Sequence, residues 1–360
     1  LVSTGALTQD GKWLYRIVGL ARDSDTQVDF VENDRLMIAP SLTYRPTNDP
    51  SITVLGNFRN DDSGSTQQFL PAVGTLTPNV NGQRVSTSTF AGEPGDYYDT
   101  DAQSVTVLAN HKFSDALELR HASRYAHTEN AYDSTYAAIL SPSRLSVING
   151  TLVGVVQSFI NPALPDDAAL INGANAPFLN AGQSQVARAR TLTYQETDVF
   201  NTDTSLTGTF RTGPIGHKIT GGVDYMNYAT DQSNAGTLID NLLTPDALTP
   251  EGQFYMSVLS SAFGFGGALQ PSFDIYRPRF GQSNYLLSLT DLFVPADGVA
   301  LTARPHEEQT QVGLYIQDQI KAGPWIAVLG LRQDWLVAEQ AGAPDEKEEA
   351  TTGRAALMYN

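Results

Sequence analysis

Polar and apolar residues alternate with a period of two along most of the chain, and this pattern restricts the fold more than any other feature. In the segment 311–320, Val312 and Leu314 fall on one face of an extended strand, whereas Gln311 and Gln317 fall on the other. Helical periodicity is scarce. The sequence therefore predicts an all-β protein whose strands carry one apolar and one polar face.

The connections between the predicted strands alternate between short and long. Short ones, such as 9–11 and 213–216, have the Gly and Pro composition of tight turns. The longer connections are 23–34, 61–100, 128–189, 231–307 and 339–350, the last with an acidic run that we interpret as a solvated loop. Tight turns at one end of a sheet and long loops at the other are typical of a transmembrane antiparallel β-barrel, with short periplasmic turns and long extracellular loops.

Counted in this way, the chain has about eleven strands. They lie near residues 1–8, 12–23, 34–46, 51–61, 100–113, 115–128, 189–212, 217–231, 308–321, 325–338 and 351–360. Trp13, Phe113 and Trp325 stand beside short turns, at the depth where amphipathic rings meet a membrane interface. The alternative folds are a soluble β-sandwich or a solenoid, which should have short loops at both ends, and in a sandwich the same rings would be core. The loop asymmetry favours the barrel.

The composition argues against several classes of function. The chain has no Cys, which excludes a disulfide scaffold, a cysteine nucleophile and a Cys-ligated zinc site. Its 22 Lys+Arg and 39 Asp+Glu give a net charge of -17, which argues against a nucleic-acid partner. No Gly-x-Ser-x-Gly or His-Glu-x-x-His motif occurs, and the His residues have no ligand spacing. We expect no enzyme activity, no cofactor and no metal held by the protein.

Several segments resemble the TonB-dependent siderophore receptors, most closely the ferrichrome-type (hydroxamate) branch. They are residues 15–22, 39–46, 69–75, 221–225 and 311–319, and Gly330–Trp335 is similar to the family's Gly-Gly-Arg-Tyr-Asp strand. Each motif alone is short. Together they follow the order and strand register of the family from one end of the chain to the other.

The resemblance implies an outer-membrane barrel of about 22 strands that is filled by an N-terminal plug. Residues 1–360 would form about eleven of these strands, so we expect the plug, the TonB box and the last strands to lie outside this sequence. The wall charges, among them Arg332 and Asp334, are expected to face the interior and to pair with the plug or with each other.

The resemblance also implies a function and its partners. The protein would be a monomer surrounded by outer-membrane lipid in a Gram-negative bacterium. It would import a ferric siderophore with energy from the TonB–ExbB–ExbD complex. Alternatives that the sequence leaves open are a TonB-dependent receptor for cobalamin or a glycan, a passive pore or adhesin on the same barrel, and a secreted enzyme on a β scaffold.

Two ligand-contacting aromatics of the family align with Phe69 and Tyr136. Tyr97, Tyr98 and Tyr132 are further candidates. A ferric siderophore is a bulky organic chelate that already saturates its iron, so a receptor needs aromatic faces and a few polar donors rather than iron ligands. The alternative role of these rings is ordinary loop packing.

Three further aromatics of the family fall on Gln67, Ala138 and Gly236. These departures favour a hydroxamate or mixed siderophore other than ferrichrome itself. The segment 231–307 is rich in Phe and Tyr, and we expect it to be an extracellular loop that folds over the pore and narrows it.

Overall fold

The computed structural model describes residues 1–47, 49–65, 68–137, 182–186, 188–236, 273–281, 285–286, 294–295 and 302–359. Its long strands are β1 (Val2–Ala6), β2 (Trp13–Arg22), β3 (Asn33–Tyr44), β4 (Ser51–Ser63), β5 (Tyr97–Ser114), β6 (Leu117–Ala137), β8 (Arg188–Thr212), β9 (Ile215–Gly236), β14 (Glu307–Ala322), β15 (Trp325–Gln340) and β16 (Glu346–Tyr359). They form one antiparallel sheet in the order of the chain, β1-β2-β3-β4-β5-β6-β8-β9-β14-β15-β16.

The remaining elements are short and lie in the long connections. They are α1 (Ala72–Thr75), β7 (Gln185–Val186), β10 (Phe273–Asp274), β11 (Tyr285–Leu286), β12 (Val294–Pro295) and β13 (Thr302–Ala303). Strand β10 pairs with β7, β11 pairs with β12, and β13 extends the main sheet along β9. Within the described residues, no helix is long and apolar enough to cross a membrane.

The predicted all-β fold and its eleven long strands are confirmed, but several predicted boundaries were wrong. At the end with the long loops, β5 begins at Tyr97, β6 continues to Ala137, and β9 continues to Gly236. The apolar alternation that marked the strands stops earlier, whereas the backbone ladder continues. The acidic run predicted as a loop begins β16, where Glu346 pairs with Ala338.

The sheet has one apolar and one polar face, because residues paired across strands point to the same side. Leu36, Ile316 and Leu331 are 63%, 53% and 56% exposed on the apolar face. No second layer of described residues covers this face, which argues against a β-sandwich. The buried apolar residues lie instead at the loop end, among them Phe90 and Ile275.

Aromatic rings mark the end of the apolar face that carries the short turns. Trp13 packs on Tyr44 with ring centroids 4.6 Å apart, and Trp325 packs on Tyr359 at 4.9 Å. Trp13 and Trp325 occupy the position predicted from the sequence. A girdle of this kind is characteristic of strands that cross a bilayer, since an indole or phenol ring has an apolar body and a polar tip.

On the polar face, charged side chains pair with one another as predicted. Arg332 donates to the carboxylate of Asp224 at 2.6 and 2.9 Å, and its Nε donates to Asp334 at 2.8 Å. Gly313 lies between these strands, and a Cβ there would collide with the guanidinium. The absence of a side chain at Gly313 therefore allows Arg332 to lie flat against the sheet and to join β15 to β9.

Candidate ligand-binding site

Four of the five aromatic residues predicted from the sequence form two ring pairs at the loop end of the polar face. Tyr98 lies opposite Tyr132 in the β5–β6 ladder, and their rings make an edge-to-face contact with centroids 5.4 Å apart. Phe69 meets Tyr136 in the same manner, also at 5.4 Å. Tyr132 and Tyr136 are four residues apart on β6, so they share a face and stand about 13 Å apart. We call these four residues the aromatic strip.

The strip offers ring surface to solvent. Phe69 is 53% exposed and Tyr98 is 46% exposed, whereas Tyr132 and Tyr136 are partly buried. The hydroxyl of Tyr136 shares a hydrogen bond with Thr191 at 3.3 Å. The phenol of Tyr132 is protonated near neutral pH, as tyrosine ordinarily is, and can donate a hydrogen bond. The strip thus combines flat apolar surface with phenol groups.

Phe69 adopts an unusual backbone conformation, with φ of 42°. A bulky side chain in this left-handed region is uncommon and costs roughly 1–3 kcal/mol. Such strain persists where the surrounding contacts fix the residue. At Phe69 the result is a ring directed towards Tyr136 and still half exposed.

The structure does not bring Tyr97 into the strip. Strand alternation places Tyr97 on the face opposite Tyr98, where it pairs with Asp133. Asp133 accepts two hydrogen bonds from Arg190, at 2.8 and 2.6 Å. Burial, and then the charges of Asp133 and Asp99, raise the pKa of the Tyr97 phenol. Tyr97 is itself 37% exposed, but on the face opposite the aromatic strip.

Beside the strip, residues from three connections form a small buried core. It contains Ala91, Ala137, Val186, Phe273 and Ile275, with Leu70, Val73, Val85, Tyr276 and Phe280 packed against it. We call these ten residues the loop cluster. Leu70 and Ala137 each follow a residue of the aromatic strip directly in sequence. The cluster therefore adjoins the two chain segments that carry Phe69 and Tyr136.

Arg188 is a buried charged residue that the sequence analysis did not identify. Its side chain is 1% exposed. It donates to Glu93 Oε1 at 2.5 Å and to the Gly92 carbonyl at 3.1 Å, and its guanidinium lies 4.4 Å from the centroid of the Phe273 ring. The signal that could have found it is the repeated arginine of 186–190, which a strand places on one face.

Asp96 fixes the start of β5 to the end of β6. Its Oδ2 accepts hydrogen bonds from the backbone N–H groups of Thr135 at 2.7 Å and Glu93 at 3.0 Å. Burial raises the pKa of the Asp96 carboxyl to about 6, and the two backbone donors oppose this shift. The neighbouring Gly92 has no room for a side chain, since a Cβ would lie 2.5 Å from Asp96 Oδ2 and 2.8 Å from the Thr135 carbonyl.

Other predicted features lie outside the described residues. Gln67 and Ala138, two positions where the family has aromatics, are not described, and neither is most of the predicted loop 231–307. The third position, Gly236, is the last residue of β9. Across the ranges that are described, no group of three or more His, Asp and Glu residues is arranged to hold a metal ion.

The chain is similar in sequence to curated proteins that are named as siderophore receptors. The chain is 26% identical over 359 residues to the ferrichrome outer membrane transporter/phage receptor of Escherichia coli (strain K12), covering 98% of this chain and 40% of that protein. It is 25% identical over 362 residues to the ferrioxamine B receptor of Salmonella typhimurium (strain SL1344), covering 99% and 40%. The chain thus spans about two fifths of the length of these curated relatives.

A solved structure shares the fold. The ferric preacinetobactin receptor of Acinetobacter baumannii superimposes with a TM-score of 0.65 at 15% identity, covering 98% of this chain and 41% of that one. A family profile described as TonB dependent receptor-like, beta-barrel, matches residues 40–360. With most of its length in that match and its strands in one ordered antiparallel sheet, this chain belongs to the TonB-dependent receptor β-barrel family.

Proposed function

We propose that this chain forms part of the barrel wall of an outer-membrane receptor that imports a ferric siderophore, most simply one of the hydroxamate type. The observation that carries the proposal is the aromatic strip. It combines exposed rings with phenol groups on the polar face, at the end of the sheet that carries the long loops. The names of the ferrichrome and ferrioxamine relatives support the hydroxamate class.

The chemistry of the strip suits such a ligand. The organic shell of a ferric siderophore can stack on the rings of Phe69 and Tyr98, and phenol O–H groups can donate to its iron-ligating oxygens. The iron travels as cargo that its chelator saturates, so the wall has to recognise shape and oxygen acceptors rather than bind the metal. No cofactor is required for this step.

The rest of the sheet suits a bilayer. The exposed apolar face would meet outer-membrane lipid, and the girdle formed by Trp13, Tyr44, Trp325 and Tyr359 would lie at the periplasmic interface. The polar face would then line the interior and contact a plug supplied by another segment of a longer chain. Energy would come from the TonB–ExbB–ExbD complex. We propose a monomeric transporter without enzyme activity, as the transport names of the relatives suggest.

The proposal is tested by uptake of radioactive iron. The complete receptor gene is expressed in a Gram-negative strain that lacks its own siderophore receptors, with and without TonB. We expect saturable uptake of iron from ferrichrome, ferrioxamine B or another ferric hydroxamate, and we expect uptake to stop when TonB is absent. Uptake that continues without TonB would indicate a passive pore. Uptake of labelled cobalamin or a glycan, with no ferric siderophore taken up, would indicate another ligand.

A further inference from the structure

Arg188 is the largest fully buried side chain of the described residues, and burying its charge is costly unless partners compensate. Its partners lie in two segments that are distant in the sequence. Glu93 and Gly92 belong to the connection between β4 and β5, and Phe273 begins β10. Glu93 also accepts a hydrogen bond from the Gly281 backbone N–H at 2.6 Å. One guanidinium therefore joins three parts of the loop region.

The segment that Arg188 holds is bonded directly to the residues around Phe69. The backbone N–H of Ala91, one residue before Gly92, donates to Gln68 Oε1 at 2.6 Å. On the other side of Phe69, Leu70 packs into the loop cluster. Both neighbours of Phe69 are thus tied to the loop segment that Arg188 anchors.

The strand segment that carries the other ring, Tyr136, also adjoins this anchor, although strand alternation points the Tyr136 side chain to the opposite face. In the β6–β8 ladder Arg188 lies directly opposite Ala137, and Tyr136 precedes Ala137 in the chain. The guanidinium thus holds the loop segment with Gly92 and Glu93 beside the end of β6 that contains Tyr136. A shift of the loop relative to β6 would separate the Phe69 ring from the Tyr136 ring.

We propose that Arg188 is a positioning residue for ligand recognition, which holds Phe69 against Tyr136 through Glu93, Gly92 and Phe273. The inference rests on the proposed siderophore-receptor function. Arginine suits this role because its planar fork reaches two acceptors while its face packs on a ring, which the point charge of lysine does not reproduce. Arg188 acts through the loop segment and need not touch the ligand.

The test measures iron uptake kinetics in the complete receptor with the variants Arg188→Met and Glu93→Gln. We expect each to raise KM by about tenfold or more with little change in the maximal rate, since a hydrogen bond to a charged group is lost and the ring pair loosens. Arg190→Met is the matched control, because Arg190 is also an ion-paired arginine on β8 but its partner Asp133 lies on the neighbouring strand β6. We expect its KM to stay near that of the unmodified receptor.

A double variant separates positioning from general damage to the fold. If Arg188 acts through Phe69, then Arg188→Met combined with Phe69→Ala raises KM no further than Phe69→Ala alone. Additive effects, an unchanged KM in both Arg188→Met and Glu93→Gln, or an equal rise in Arg190→Met would overturn the inference. If the unmodified receptor takes up no ferric siderophore, the proposed function itself fails, and the inference fails with it.

Discussion

Two arginines, Arg332 on the sheet and Arg188 among the loops, show how differently the two regions of this molecule are held. Arg332 is 33% exposed and pairs with two aspartates whose positions are already set by the β9–β14–β15 ladders. Arg188 is 1% exposed and joins segments that share no long ladder. Order in the sheet comes from the backbone, and order in the loops comes from a few side chains. Single substitutions should therefore disturb the loops more than the sheet.

The largest effect that we expect comes from the charge of Asp96. The pKa of the Asp96 carboxyl is about 6 in the closed state, in which its loop packs against β6, and 3.8 ordinarily. The closed state therefore binds the proton more tightly than an open state in which the loop has left β6. The free energy of loop opening should therefore fall by about 3 kcal/mol in all as pH rises from about 4 to about 6. It should stay constant above about pH 6. Hydrogen exchange of the Thr135 amide, corrected for its intrinsic pH dependence, measures this change.

Asp96→Asn supplies the control for this pH dependence. The variant has no carboxyl to titrate, so the free energy of opening should no longer change between pH 4 and pH 6. An unchanged pH dependence in Asp96→Asn would assign the effect to another group. A free energy of opening that rises with pH in the unmodified protein would contradict the sign given above.

A side chain at Gly92 should have the next largest effect. In Gly92→Ala the new Cβ meets Asp96 Oδ2 and the Thr135 carbonyl, so the loop must move away from β6. Overpacking of this kind costs about 2 kcal/mol, which corresponds to roughly thirtyfold weaker siderophore binding if the cost falls on the bound state. Equilibrium binding to the purified receptor measures it.

Gly19 on β2 offers a matched substitution in the sheet. A Cβ at this position would have nothing within 4 Å, so we expect Gly19→Ala to bind normally. Equal affinity in Gly92→Ala and Gly19→Ala would mean that the position of the loop segment does not matter for the ligand.

The smallest effect should come from Arg332→Met. The variant removes a partly exposed ion pair from a wall that its backbone ladders already hold, so we expect a loss of about 1 kcal/mol in stability or less. Thermal unfolding in detergent measures the stability, and KM for uptake should stay unchanged. A loss of siderophore binding as large as that of Gly92→Ala would remove the distinction between the two regions.

The same distinction explains how much of the fold could be predicted from sequence. Alternation such as that of Val312 and Tyr315 follows directly from a strand with one apolar and one polar face, so the strands of the sheet were predictable. Beyond the apolar band both faces are polar or covered by loops, so the pattern ends before β6 does at Ala137. For that reason the strands were predicted to be too short at the loop end of the sheet.

The candidate site was predictable only in part. Phe69 and Tyr136 followed from resemblance to a family motif, and the structure adds that their rings are in contact. Tyr97 and Tyr98 looked equivalent because β5 was expected to begin after both, so the alternation that separates them was not applied. The Arg188–Glu93 pair joins residues 95 positions apart, and although the repeated arginine marks Arg188, nothing in either segment signals its partner.

The most direct test of the central claim is the affinity of the purified complete receptor for ferric hydroxamates, measured with and without the double substitution Phe69→Ala and Tyr136→Ala. We expect saturable binding of ferrichrome, ferrioxamine B or another ferric hydroxamate to the unmodified receptor. Binding to the double variant should be at least about tenfold weaker, with its thermal unfolding unchanged, because the ring pair contacts the ligand but does not support the sheet. Equal affinity of the two proteins would contradict the assignment of the aromatic strip as the siderophore site.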